Sequence, residues 1–305
     1  MLVQIIILFF IYLLLPLFLL RSLCRGRERS RFTWLLKVLY TGAFLFYLFL
    51  AGSWDWFSVF LRWAYLVLFL AAAVFSYRRA RSLPFFSGTG WRRLGGAWSE
   101  LFTLAVFLAF MLLALRGLFY SAEPVRLAAP LRDGWYYVGQ GGNSTLLNYH
   151  NSHPSQKYAL DIVALNAAGF RARGLYPSDA GRYVIFGHTV YAPCEGEVLA
   201  AVDGLPDFSP PETDTVNVAG NHVVIACRGA EVILAHLQHG SLQVQAGETV
   251  AEGQPIGRAG NSGNTSEPHL HIHAVREGTG GPLEGEGMPM LFDGRFLVRN
   301  ATFGR

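Results

Sequence analysis

The sequence predicts two unlike parts in one chain. Residues 1–120 read as an α-helical membrane domain of four transmembrane helices, 121–140 as a linker, and 141–305 as an all-β domain. Three observations carry this. The 305 residues are 52% hydrophobic and only 15% charged, against about 25% charged in an ordinary soluble domain. So apolar a chain is not disordered either. Its charge is also split: residues 1–120 hold 13 Lys/Arg and 3 Asp/Glu, residues 121–305 hold 12 and 18. Finally, all nine histidines lie in the second part. Because the basic charge belongs to the apolar part, its partner is the lipid bilayer, and nucleic acid is argued against.

Met1 to Leu20 contains no charged residue, and a helix needs about 20 apolar residues to cross a bilayer core. A secretory signal wants its basic residues before the apolar run. Here Arg21, Arg25, Arg27, Arg29 and Arg31 follow it, so residues 2–20 read as a spanning helix. Three more apolar runs follow, each with one basic residue close to an end: Trp34 to Gly52 with Lys37, Phe57 to Tyr77 with Arg62, and Leu101 to Tyr120 with Arg116. Such residues can snorkel to the interface. The first connection (21–32) is rich in arginine, and the third (78–100) carries Arg78, Arg79, Arg81, Arg92 and Arg93. The second, around Ser53-Trp54-Asp55-Trp56, has no Lys or Arg, and its two tryptophans suit a membrane interface. By the positive-inside rule both termini, and everything after about residue 121, lie outside the cytoplasm. The expected location is a multi-pass protein of the cytoplasmic (inner) membrane with an extracytoplasmic domain. No charge sits at mid-depth, so the helices read as an anchor and not as a transport path.

Beyond the linker the texture changes to short alternating runs. Glu197–Val202, Asn221–Cys227, Glu231–His236 and His269–Arg276 read as strands. Val244, Val250 and Ile256 recur every six residues, with Gly247 and Gly253 midway, the pattern of short strands folding back on themselves. Biotinyl and lipoyl carriers share this rhythm but need a lysine at a hairpin tip. Lys37 and Lys157, the only lysines, do not sit in such turns. An oxidising compartment permits a Cys194–Cys227 disulfide, two separate buried thiols being the alternative, while Cys24 lies in the basic first connection.

The sharpest feature is His269-Leu270-His271-Ile272-His273. Side chains of a strand alternate faces, so its three imidazoles share one face. Following the Gly/Asn/Ser-rich stretch 260–265, they suit a metal site. A catalytic zinc site takes three protein ligands and one open position. His150, His153, Asp161, His188, His222, His236 and His239 are the candidates outside this strand. Asp161 lies in the apolar run 158–163, where an unpaired carboxylate is costly. His236 ends another apolar run.

These motifs, in order, resemble the lysostaphin-type (LytM-type) zinc metallopeptidases, the murein endopeptidase family. The resemblance covers about 135–277. It rests on Ala159-Leu160-Asp161-Ile162, Val190-Tyr191-Ala192-Pro193 with Gly196-Glu197-Val198, Gly220-Asn221-His222-Val223, Leu234-Ala235-His236-Leu237, and Gly260-Asn261-Ser262-Gly263-Asn264 leading to Pro268-His269-Leu270-His271. It implies a lysostaphin-like antiparallel β-sheet/barrel-sandwich fold. It further implies Asp161 and His271 as Zn²⁺ ligands, His236 and His269 as catalytic residues, and peptidoglycan peptides as substrate. The remaining ligand should be a histidine four positions before the aspartate. That position is Lys157, a poor ligand. His150 is preferred over His153, which is followed by a turn-forming proline, but residues 151–157 must then loop out. His273 reads as a neighbour in the strand, and His188, His222 and His239 as structural or surface residues. The stretch 164–189 looks like an insertion.

Three other functions are weighed. The departure at Lys157 allows a non-catalytic domain of the same fold that binds wall peptide or regulates a hydrolase. A phosphohistidine carrier shares the Ala-Pro-x-x-Gly-x-Val turn but works in the cytoplasm, where the arginine pattern does not put this domain. A protease acting on a non-wall protein is also compatible with the residues.

Overall fold

The computed structural model of the chain describes residues 2–87 and 97–304. Arg92 and Arg93, which entered the orientation argument, lie outside the described residues. The chain divides into two compact units, residues 1–52 with 60–115, and residues 53–59 with 116–305.

The first unit is helical. Helix α1 (Leu2–Phe9) runs through a π-helical turn at Phe10–Leu14 into α2 (Leu15–Arg25). Pro16 explains the irregular turn, because it has no N–H to give and its ring crowds the carbonyl one turn back. Gly26 ends α2 in the left-handed region at φ 61°. Ser30 caps α3 (Arg31–Ala51), accepting the Thr33 amide at 3.2 Å. Helices α4 (Leu61–Ala80) and α5 (Trp98–Arg116) follow. Among the described residues four segments, Ile5–Arg25, Arg31–Ala51, Leu61–Ala80 and Trp98–Arg116, are long and apolar enough to cross a membrane. Lys37 pairs with Glu28 at 2.6 Å. The third helix starts at Leu61, not Phe57, because Trp54–Trp56 form a 3₁₀ turn and residues 53–59 pack with the second unit.

The second unit is a β domain. Its main sheet has nine strands: β2 (Tyr136–Gln140), β3 (Leu160–Ala164), β5 (Gly196–Val202), β6 (Asn221–Cys227), β7 (Ala230–Leu237), β8 (Thr249–Val250), β10 (Leu270–Arg276), β11 (Glu286–Met288) and β14 (Thr302–Phe303). Their order is β14-β2-β3-β10-β7-β6-β5-β8, with β11 also on β10. Each pairing in it is antiparallel. A small sheet joins β1 (Val125–Leu127), β12 (Met290–Phe292) and β13 (Arg295–Phe296), with β1 parallel to β12. A third pairs β4 (Thr189–Tyr191) with β9 (Pro255–Arg258). The stretch 121–140 is thus not a free linker: β1 and β2 lie within it, and Tyr136, Tyr137 and Val138 are fully buried.

The apolar core lies on one face of the main sheet, where Leu160, Ile162, Leu234, Leu270 and Ile272 meet Val244, Val250 and Ile256 from the glycine-punctuated run. A smaller cluster of Val224, Ile233, Ala235 and Val275 lies on the other face. Gly247 and Gly253 have φ of 88° and 80°, as that run requires. Cys194 and Cys227 are disulfide-bonded within the core.

Candidate metal centre

The site is built on the neighbouring strands β3, β10 and β7. Register puts Asp161 of β3 directly opposite His271 of β10, so the two side chains share a face. The His271 ring uses both nitrogens there: Nδ1 lies 2.9 Å from Asp161 Oδ1 and Nε2 lies 3.0 Å from His273 Nδ1. Leu270 and Ile272, between the histidines, enter the core on the opposite face, as the period of two predicts.

His150 reaches the same carboxylate from outside the sheet. It sits in a 3₁₀ turn, Tyr149–Ser152, and its Nε2 is 3.0 Å from both Asp161 oxygens. Its Nδ1–H donates to Gln156 Oε1 at 3.0 Å, so Nε2 is the nitrogen that meets the carboxylate. The excursion 151–157 is clipped by Asn148, fully buried, whose Nδ2 donates to the carbonyls of Gly142, Lys157 and Ala159. His153 is exposed, and the Lys157 ammonium lies 5.4 Å from the Tyr158 ring centroid.

His236 arrives by a break in regularity. Ala235 is paired with His271, so alternation alone would send His236 to the core face. Its φ of 62° instead falls where the pairing of β7 with β6 shifts register, a bulge between Leu234 and Leu237 that turns the side chain. The ring comes to 4.8 Å from the His269 ring and 5.8 Å from the His271 ring, between centroids. His236 Nδ1–H donates to the Ser262 carbonyl at 2.9 Å. That carbonyl can come so close only because Gly220 faces it; a Cβ there would stand 2.3 Å from Ser262 O.

His269 lies one residue before β10. Its Nδ1–H donates to the Glu267 carbonyl at 2.8 Å and stands 3.1 Å from Thr265 Oγ1, while Nε2 stands 3.5 Å from Asp161 Oδ1. A carbonyl can only accept, so Nδ1 of both His236 and His269 carries a hydrogen, and Nε2 of each is the nitrogen left to the site. Burial, with the nearby His269 and His271, holds the His236 imidazole well below its usual range, and burial lowers His271 to about 4. Burial would raise the Asp161 carboxyl, but His150 and His269 outweigh it and hold it well below the usual carboxylate range. The same pairing raises His150 against its own burial.

Among the described residues two groups of donor atoms, His150-Asp161-His271 and His236-His269-His271, each fall within 4.8 Å of one another and could hold a metal ion. The first is two imidazoles and one carboxylate, a donor set that suits zinc. All five residues singled out in the sequence for metal or catalytic work therefore meet in one place. The remaining histidines are tied elsewhere: His188 to Tyr136 at 3.0 Å, His222 to the Gly220 carbonyl at 2.7 Å, and His239 to the Leu205 carbonyl at 3.1 Å. The supporting residues Asn148, Gln156, Thr265 and Glu267 were not singled out. Only the polar stretch before the histidine strand signalled any of them. A cavity of about 410 Å³ opens here, lined by His150, His236, His271 and His273 among others.

Part of the chain is similar to known proteins. Residues 183–282 match peptidase family M23. This range includes His236, His269 and His271 and stops short of Asp161 and His150. The peptidoglycan DD-endopeptidase ShyA of Vibrio cholerae serotype O1 is 28% identical over 152 residues, which is 48% of this chain. The chain spans 31% of the length of that relative. Among solved structures, the M23 metalloprotease pseudoalterin, from the deep sea, is 18% identical, covering 51% of this chain and 73% of its own, with a TM-score of 0.32. The catalytic domain of lysostaphin from Staphylococcus simulans is 23% identical, covering 34% and 76%, with a TM-score of 0.23. Over residues 183–282 the C-terminal domain is thus similar to peptidase family M23.

Proposed function

We propose that the protein is a membrane-anchored zinc metalloendopeptidase that hydrolyses peptide bonds in peptidoglycan. The observation that carries this reading is the convergence of His150 Nε2, His271 Nδ1 and the Asp161 carboxylate beside His236 and His269, whose Nδ1–H groups are held by carbonyls. His150, Asp161 and His271 would hold Zn²⁺, and the carboxylate offsets part of the ion's charge. When bound there, the ion supplies Lewis-acid polarisation of a peptide carbonyl and makes water more acidic.

The protein's own residues do the proton work. Each of His236 and His269 keeps Nε2 for the site, so in its neutral form either ring can take a proton from attacking water. Once protonated, that nitrogen can stabilise the developing oxyanion or pass the proton to the leaving amine. Nδ1 of each ring stays on its carbonyl throughout, which keeps the ring aimed. His273, beside His271 Nε2, orients the ligand ring from behind.

In this reading the β domain lies on the periplasmic or wall side of the cytoplasmic membrane. The arginine-rich first connection and the paired cysteines both support that orientation. The non-catalytic alternative leaned on Lys157, and the 3.0 Å contact of His150 Nε2 with Asp161 supports His150 as the ligand in its stead. The carrier alternative needs the opposite orientation.

The test uses the full chain in detergent. Elemental analysis should find about one zinc per chain, the stoichiometry of one site, lost in His271→Ala, and the native protein should cleave purified peptidoglycan. Native protein that takes up no zinc even after supplementation would overturn the reading. Digestion of the β domain by protease added to the cytoplasmic side of membrane vesicles would overturn the orientation.

A further inference from the structure

The segment between α3 and α4 is bound into the β domain along its length. The Trp54 amide donates to Tyr137 Oη at 3.3 Å, Ser58 Oγ to the Ala168 carbonyl at 2.8 Å, and the Val59 amide to the Gly169 carbonyl at 3.0 Å. Arg299 donates to Ser53 Oγ. The centre of the contact is Arg171, from the 164–189 insertion, which is 2% exposed. Its guanidinium lies 3.8 Å over the Trp56 ring. Nε is 3.6 Å from Asp55 Oδ2, and Nε and Nη2 donate to Glu267 Oε2 at 2.9 and 2.6 Å. Tyr176 stacks on Trp56 and donates to the Ser266 carbonyl.

Glu267 is also the residue whose carbonyl receives His269 Nδ1–H. A continuous set of contacts thus runs from Trp56 and Asp55 through Arg171 and Glu267 to His269. A cavity of about 330 Å³ lies over this set. Ser53, Asp55 and Trp56 line it together with Asp161, Thr265, Glu267, His269 and Arg299.

We propose that residues 53–59 are a working wall of the peptidase cleft and that Arg171 is the positioning residue that ties this wall to His269. The proposal rests on the peptidase reading above. A peptide lying in this cavity meets the Trp56 ring on one side and His269 on the other. The insertion 164–189 then has a defined role: it carries the arginine that receives the loop. The cleft of this protein is accordingly completed by a segment more than a hundred residues away in sequence, which is held at both ends by apolar helices.

The test uses the full chain in detergent, with a cross-linked muropeptide dimer as substrate. In Arg171→Met, kcat should fall about ten- to a hundredfold, the scale of a misplaced catalytic group, with zinc content unchanged. The ¹⁵N spectrum of His269 should change from a fixed Nδ1–H tautomer to a mixture. Trp56→Ala should raise KM, and Trp56→Phe should restore it. Wild-type kcat and KM in both Arg171→Met and Trp56→Ala, with zinc retained, would overturn the proposal. If Arg171→Met loses its zinc, the Trp56 pair decides: unchanged KM in Trp56→Ala overturns it. A zinc-loaded wild type that cleaves no muropeptide counts against the peptidase reading instead. The His269 spectrum then decides alone, and an unaltered tautomer in Trp56→Ala and Arg171→Met overturns the proposal.

Discussion

Asn148 caps His150, its Oδ1 accepting the His150 amide at 3.1 Å while its Nδ2 shares two protons among three carbonyls. One side chain thus allows a histidine eleven residues before Asp161 to reach it. Asn148→Ala leaves these buried groups without their partner, and His150 without its aim. Zinc affinity should drop about 10–100-fold, the usual cost of losing support behind a ligand. Competition with a chromophoric chelator measures it, and native affinity in the variant would refute the role.

His236 and His271 are neighbours with different duties in the proposed mechanism. His236→Ala should retain zinc while kcat falls about 10²–10⁴-fold, the range of general acid–base catalysis. His269→Ala should behave alike. Asp161→Ala and His271→Ala should lose the metal itself. Elemental analysis alongside turnover separates the two groups, and zinc loss in His236→Ala would show the assignment to be wrong.

Asp55 gives the docked loop a pH dependence. Burial raises its carboxyl to about 6, opposed by Arg171 and Arg299 and reinforced by Glu267, which competes for the same guanidinium. A carboxyl raised on docking favours docking while protonated. That stabilisation is complete below the unperturbed value near 4 and lost as pH rises through about 6. A shift of about two units corresponds to roughly 3 kcal/mol. Hydrogen-exchange protection of the Trp54 and Val59 amides, corrected for intrinsic rates, should fall between pH 5 and pH 8. Asp55→Asn should abolish the dependence, and wild-type protection that does not vary with pH would contradict it.

The Cys194–Cys227 bond closes a loop with a sequence separation of 33. Chain-entropy reasoning gives it roughly 3–4 kcal/mol. Replacing both cysteines by alanine should lower the thermal midpoint of the β domain by several degrees in the full chain. A reductant should produce the same shift in the wild type and none in the variant.

Much of the site was legible because its signals are local. The alternation of His269, His271 and His273 with Leu270 and Ile272 shows directly in a period of two, and Asp161 stands out against its apolar neighbours. His236 was legible as a residue but not as a geometry, because its place depends on one left-handed φ that the residue type does not encode. The strands β5, β6, β7 and β10 were legible to within a residue or so. Residues 121–140 read as a linker because Pro, Gly and polar residues interrupt them, and the pairing of β1 and β2 with strands far along the chain leaves no local trace. The same holds for Trp54 and Trp56. Two tryptophans beside apolar runs suggest a membrane interface, whereas their partners Tyr137 and Arg171 are fixed only by the tertiary fold.

The pairing of β2 with β14 has a consequence for biosynthesis. Tyr137 Oη donates to Asn300, 163 residues later. At about 5–20 residues per second, ribosomes need roughly 10–30 s to make that stretch. Through that interval Tyr136 and Tyr137 lack their eventual neighbour strand, and the first β segments present an open edge. The β domain therefore completes its sheet only after elongation has passed β14. A ribosome stalled before Asn300 should leave a product that is membrane-inserted yet readily degraded.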